Sequence, residues 1–432
     1  MYKAAFFETD ITPPIGTIIP GDFASRLSVD ILDEIYARAF VLSDGKSYMS
    51  TVVVDACGIT MDITNRIRQK VSKYTDIKAP ELMVIATHTH SGGPTLNWGE
   101  QVRRNEEYIS NLVDKAADAV ICAFNRLSEA MICISRWELE GVGFVRIFNM
   151  KGGGLKTNPG MGNPDIISPT GEIDKELIAL TVYKENKPVG AVVNYACHPA
   201  VVAGVRTSGD FPGALAREMK KKYGDNFITV FINGACGNIN HINPFDPETA
   251  KPGRHLMMGK MLAEKTIEAV ENPDTKVDGK ISASESVIKV KIRKPDHDDL
   301  MKAKTHLDSL GDDLINSVAG TPGYIDTFFA LQAFGIELDK RTLEDIYLNK
   351  FSIGDVLTLF GVPCQMFSDY GFRMKSDSRS DYSMVSIFTN DYRGYVPTPD
   401  KMKPGVYEAR LASTSTLAPE AGDIICEAIA KM

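Results

Sequence analysis

VIATHTHSGGP, residues 84–94, carries two histidines at the end of an apolar run and then breaks into glycines. Read as a strand, residues two apart point to one side of the sheet, so His88 and His90 are expected to aim together beyond the strand end. Two convergent imidazoles suit a metal site or an acid/base pair. The plainer alternative is a pair of exposed loop histidines.

Outward from this stretch, strands and helices alternate. YMSTVVVDA (48–56) is β-branched and of buried-strand type, and TMDITNRIRQKVSKY (60–74) has helical period. Residues 105–127 place Tyr108, Leu112, Ala116, Val120 and Ala123 on one helical stripe. MICISRWEL, LIALTVY and VGAVVNYA read as strands. DFPGALAREMKKKYG and RHLMMGKMLAEKTIEAVEN read as helices, with the strand NFITVFINGA between them. Residues 150–174 form a Gly/Pro/Asn-rich stretch too long for a plain connector, expected to border a pocket and to present Asn158. After Asp274 the pattern shifts: VIKVKIRK alternates strictly, residues 302–341 are mostly helical, and DVLTLFGVP and MVSIFTN return to buried strands before a last helix. The expected fold is α/β, a mixed sheet core flanked by helices. It forms a single domain over 1–432, with a subdomain or insertion at about 275–350. No repeat is evident.

The 432 residues are 44% hydrophobic and 24% charged, with a formal net charge of −8. An acidic surplus gives no field for phosphates, so nucleic acid is not an expected partner. No stretch approaches the roughly 18 apolar residues of a membrane span. The start shows no basic, then apolar, leader pattern. Seven scattered cysteines without a CxxC pair indicate reduced thiols and a cytoplasmic setting.

Several strands end in polar residues: Asp55; His88 and His90; His198; Asn238, Asn240 and His241; Gln365; Tyr392 and Tyr395. In open α/β sheets ligands bind beyond strand ends, so these point to one shared pocket. Singly, each has a plain explanation. Asn238 and Asn240 suit turns, Asp210 suits a helix N-cap, and Tyr392 suits a core. His255, His297 and His306 read as surface residues.

The pieces DITPPIG, DEIYARAFVL, THTHSGGP, NYACHP, SGDFPGALA, NGACGNINHINP and NDYRGYVPTPDKMKPGVYEA occur in that order over nearly the whole chain. Together they resemble the neutral/alkaline non-lysosomal ceramidase family, specifically its zinc-dependent catalytic domain without the C-terminal immunoglobulin-like domain. The resemblance implies a zinc ion held by His88, His198, Gln365 and Tyr395. It implies catalytic roles for His90, Tyr395 and Arg146 (in GFVRIFN), and substrate contacts from Asn158, Asn240 and Tyr392. Two departures separate the chain from the ceramide-cleaving pattern. The family's glutamate is Gln365, in VPCQ, which leaves the ion one anionic ligand short; Asp210 and Asp55 are the carboxylates that could stand in. The family's serine corresponds to Asn240. The implied function is therefore zinc-dependent hydrolysis of a C–N amide bond in a small N-acyl substrate other than a long-chain ceramide. The alternative is a non-catalytic ligand-binding pseudoenzyme on the same scaffold.

Overall fold

The computed structural model describes residues 1–23, 25–97, 102–311 and 323–432. Numbering only the strands of its two large sheets, the first half of the chain runs β1 (Tyr2–Asp10), β2 (Tyr36–Ser43), β3 (Tyr48–Val54), α1 (Met61–Val71), β4 (Leu82–Ala86) and α2 (Glu106–Asn125). The next segment runs β5 (Ser128–Glu138), β6 (Glu176–Lys184), β7 (Lys187–Tyr195), α3 (Asp210–Tyr223), β8 (Ile228–Asn233) and α4 (Arg254–Glu271). These strands form one sheet in the order 8-7-6-5-1-2-3-4, with Thr275–Lys276 added beside β5.

That order contains a repeat invisible in the residues. Each half lays down three antiparallel strands, crosses by a helix to a fourth strand parallel to the third, and returns a second helix. The halves meet at an antiparallel seam between β1 and β5, only three residue pairs long: Tyr2 with Ala130, Lys3 with Glu129 and Ala4 with Ser128.

Residues past 280 build a second sheet from β9 (Ile281–Lys291), β10 (Leu343–Ile353), β11 (Leu357–Gly361) and β12 (Tyr382–Ser386). Helices α5 (His297–Leu310) and α6 (Tyr324–Leu338) pack together between β9 and β10. Residues 275–350 thus supply the Thr275–Lys276 edge strand, β9, the helical pair and most of β10.

Alternation decides how the layers stack. Phe6, Phe40, Val53 and Ile85 on one face of the first sheet pack against Phe351, Leu359 and Met384 of the second. On the opposite face, Val41, Val52 and Val84 meet Ile63, Ile67, Ile109 and Leu112 of α1 and α2. The second half repeats this with Val193 and Phe231 against Phe211, Leu215, Met258 and Leu262 of α3 and α4. Gly259 is required at that crossing, because a Cβ there would stand 2.4 Å from Ala214 Cβ. The second sheet's outer face carries α7 (Ser368–Ser376) and α8 (Ala421–Ala430), giving four layers, α/β/β/α. Each fully buried aliphatic or aromatic side chain in these layers contributes about 1.5–3 kcal/mol. The expected mixed sheet with flanking helices is present, doubled by a second sheet.

Three local points add to or change these expectations. Residues 150–174 are not merely irregular: Leu155–Thr157 and Ile166–Pro169 flank Ile147–Met150 in a small antiparallel sheet. His255, read as a surface residue, is buried on the first turn of α4, with Asp33 and Arg217 among its charged neighbours. The helical character expected over 302–341 appears as α5 and α6, with residues 312–322 outside the described residues.

Candidate functional site

Strand β4 stops at Ala86, before the histidines. His88 lies in a left-handed conformation, φ 73°, a region costing a non-glycine residue of order 1–3 kcal/mol. Its convergence with His90 therefore comes from a strained turn and not from strand alternation. The packing that holds the turn is visible: the His88 ring lies flat on Phe388, centroids 3.9 Å apart, and Phe388 is itself at φ 57°.

The nitrogens are sorted by their backbone partners. His88 Nδ1 lies 2.5 Å from the Cys57 carbonyl, and His198 Nδ1 lies 3.0 Å from the Cys236 carbonyl. A carbonyl only accepts, so both Nδ1 atoms carry the proton, and both Nε2 lone pairs are free. Those two Nε2 atoms stand 3.1 Å apart, and His90 Nε2 is 3.2 Å from His88 Nε2. Two neutral imidazoles facing each other through lone pairs repel unless a cation lies between them. Two Zn–N bonds of about 2.0–2.1 Å at a tetrahedral angle put the nitrogens about 3.3 Å apart. The donor set therefore fits a zinc-type ion. Burial, reinforced by His90 at His88 and by Arg146 at His198, holds both rings well below the usual imidazole range. Burial and then Arg26 bring His90 down to about 3. All three rings are neutral at physiological pH, the form that ligates.

Cys57, His88 and His90 also have donor atoms within 4.8 Å of one another. The Cys57 thiol, however, sits 3.8 Å from His88 Nδ1, the nitrogen already engaged with a carbonyl. Burial pushes that thiol up, away from the thiolate a metal requires. We read Cys57 as backing the His88 ring.

Gln365 lies beside Tyr395 in a short parallel pairing. Its Nε2 donates to the Tyr392 hydroxyl at 2.6 Å, and its buried Oε1 has no hydrogen-bond partner among the described residues. Tyr395 stacks parallel to His198, centroids 6.4 Å apart, and interacts with Arg146 and Tyr407. Burial pushes its phenol up despite the pull of Arg146. Arg146 is buried, donates to the Gly237 carbonyl at 2.6 Å, and pairs with the fully buried Glu408 at 2.6 Å. Asp55 is committed to Arg38 at 2.8 Å and to the Tyr36 amide. Asp210 accepts from the amides of Val201, Val202 and Phe211 and so clamps the chain just after His198.

A cavity of 340 Å³ opens beside the imidazoles, lined by His90, His198, Arg146, Asn158, Asn240 and His241 on its polar side. Asn240 Nδ2 donates to Asn158 Oδ1 at 2.8 Å, so these two meet as one polar edge. Asn158 to Met161, from the Gly/Pro/Asn-rich stretch, line the cavity too. Tyr392 is not in its lining; that ring stands parallel to Phe388 and His88. Sequence reading missed Glu408, Tyr407, Phe388 and the two cysteine carbonyls. Glu408 and Tyr407 lie within the quoted GVYEA, but no residue near them marks Glu408 as the partner of Arg146.

A four-layer body gathers imidazoles and a carboxylate-paired arginine beside one cavity. The model of the neutral/alkaline non-lysosomal ceramidase N-terminal region matches residues 8–243, and the chain belongs to that family. Among solved structures, neutral ceramidase from Pseudomonas aeruginosa superposes with a TM-score of 0.75 at 17% identity, over all of this chain and 74% of that one. A structure described as ceramidase complexed with C2 gives 0.72 at 16% identity, with the same coverage. At such identities the likeness speaks for the fold. No curated protein matches the sequence. No helix among the described residues is long and apolar enough to cross a membrane.

Proposed function

We propose that this chain is a zinc-dependent hydrolase of a C–N amide bond in a small N-acyl compound, working in the cytoplasm. The observation that carries the reading is the pair of Nε2 atoms 3.1 Å apart, one of them on His198 in the cavity lining. His88, His198, Gln365 through its unpartnered Oε1, and Tyr395 would hold the ion. When bound, the ion supplies Lewis acidity, polarising the amide carbonyl and making water a better nucleophile at neutral pH. Arg146 holds the Tyr395 hydroxyl in place. Tyr395 offers a hydrogen bond to the oxygen that gains charge. Neutral His90 gives its one N–H to the Gly21 backbone and turns its Nε2 lone pair to the site, which suits it to take a proton from the attacking water and pass it to the leaving amine. Asn158 and Asn240 contact the substrate, while Tyr392, outside the cavity, bonds the Gln365 amide through its hydroxyl. The cavity stands at the small end of the ~300–1,000 Å³ range for ligand pockets, which favours a compact acyl or amine part over a long-chain ceramide. Seven free cysteines, six of them buried, agree with a reducing compartment.

The test is metal analysis of protein purified without added metal, followed by a screen of N-acyl compounds from N-acetyl amino sugars to N-acyl sphingosines, with and without zinc. Stoichiometric zinc with zinc-dependent amide cleavage is expected. Protein that takes up no zinc and cleaves nothing is the ligand-binding pseudoenzyme instead.

Position 365 gives a sharper result. Glutamine offers a carbonyl oxygen and no charge, so Gln365→Glu should tighten zinc by about an order of magnitude, the scale of a change in the ligands' surroundings. Titration of both apo proteins between about pH 6 and 9 reads this out. Equal affinity at every pH places position 365 away from the ion.

Gly21 tests how tightly His90 is held. Its φ is 104°, and a Cβ there would stand 2.8 Å from His90 Cγ. Gly21→Ala should displace the ring and lower kcat by about tenfold or more, since small misplacements of a reacting group are costly. Unchanged kcat would show that the loop yields or that His90 is a bystander.

A further inference from the structure

A second cavity, of 530 Å³, opens between α5, α6 and the segment 402–411. It shares no lining residue with the cavity beside the imidazoles, and the proposed reaction makes no use of it. Its volume falls within the ~300–1,000 Å³ range of ligand pockets.

The charge of this lining runs against that of the chain. The protein has a formal net charge of −8, whereas the lining holds Arg293, Lys302, Lys403 and Arg410 against Asp299 and Asp326, with His306 besides. Both carboxylates are already engaged. Asp326 pairs with Arg410 at 2.9 Å, and Asp299 accepts from the Asp296 amide in the capping box that starts α5. Arg293, Lys302 and Lys403 form no ion pair among the described residues. At Arg293 both terminal nitrogens donate at 2.8 Å to neutral acceptors, the carbonyls of Ala409 and Ser415. Carbonyls satisfy the donors and leave the charge unbalanced. Burial outweighs the pull of Asp299 and brings this guanidinium down to about 10, so it is still a cation at neutral pH. Phe329, Ala333, Val406 and Leu411 add hydrocarbon to the same lining. A concave site with surplus positive charge and apolar surface attracts an anion carried on an apolar body.

We propose that this cavity is a second ligand site, taking a small organic anion: a carboxylate or phosphate on a short apolar body. Lys302 and Lys403 meet the anionic group, Arg293 supplies a fixed positive field, and Phe329 and Val406 cover the hydrocarbon. The site does not depend on the amide-hydrolase reading.

Hexanoate, hexyl phosphate and hexanol share a chain and differ in head group. Each is titrated calorimetrically into the full chain. At least one of the anions should saturate a single site and bind about tenfold or more tighter than the alcohol. The tighter of the two names the head group. Lys302→Glu/Lys403→Glu changes two exposed positions and should weaken that anion by about tenfold or more, since like charges then face each other. Met402→Trp narrows the cavity with every charge in place and should weaken it as well. Absence of saturable binding by either anion overturns the assignment, as does an alcohol that binds as well as both. Affinity unchanged in the lysine variant puts the anion elsewhere, the imidazole cluster included, and also overturns it. Affinity lost in the lysine variant but intact in Met402→Trp leaves the anion on surface lysines outside the cavity, and the site fails.

Discussion

Replacing His198 by alanine should remove the metal and hydrolysis together. His198 is almost fully buried, its Nδ1 is spent on a backbone carbonyl, and its Nε2 faces His88. Losing a direct ligand should weaken zinc by more than the ~10–100-fold that losing an outer partner costs. Turnover should fall by roughly a thousandfold or more, since removing a single charge-stabilising group already costs about 10²–10³. The partner test at position 88 needs care. An alanine at φ 73° would add backbone strain to the lost ligand, whereas asparagine tolerates the left-handed region. His88→Asn therefore isolates the ligand effect. Zinc content by elemental analysis and amide cleavage are the measurements. A His198→Ala protein that retains stoichiometric zinc would move the ion to another set of residues.

Glu408→Ala should give the largest loss of stability. Arg146 and Glu408 pair at 2.6 Å with side chains 7% and 0% exposed, and Glu408 also accepts from the Thr157 hydroxyl at 2.7 Å. Burial works against the arginine's charge, and Glu408 together with Tyr395 more than restores it. Without the carboxylate the guanidinium stays charged in a dry site. Breaking one side of such a pair costs about 3–5 kcal/mol. Glu408→Gln keeps an acceptor for both partners and should cost less. The double variant Arg146→Met/Glu408→Leu should recover much of the loss, because the desolvated charge is gone. Urea unfolding of the four proteins measures this. A single-variant cost below about 1 kcal/mol would mean that water reaches the pair.

The strand ends were legible because buried strands are written in β-branched residues and ligand-facing loops in His, Asn and Tyr. That is why 48–56 and 82–86, with the histidines after them, could be placed from the residues. β1 and β2 were harder. Arg38 lies in the middle of β2 and reads as exposed, yet its charge is met by Asp55 at 2.8 Å and Glu8 at 3.2 Å. Such compensation lies across strands, and no local pattern shows it. The same holds for Glu408, whose partner Arg146 is in another part of the chain. The turn at His88 depends on Phe388 packing against it from the far end of the sequence. The repeat of the two halves escaped because topology repeats where residues do not.

The three-pair seam between β1 and β5 has a consequence for how the molecule comes apart. His88 follows the last strand of one half and His198 the third strand of the other, 110 residues later. An ion shared between them, as proposed, would be a removable cross-link over the three-pair seam that joins the two halves. A permanent link closing a loop of about 100 residues withdraws of order 4–5 kcal/mol of freedom from the unfolded chain. A link that dissociates on unfolding acts instead in proportion to the free metal around it. Heat resistance would then rise and fall with zinc concentration, and a chelator would unfasten the two halves in the same act that silences the chemistry.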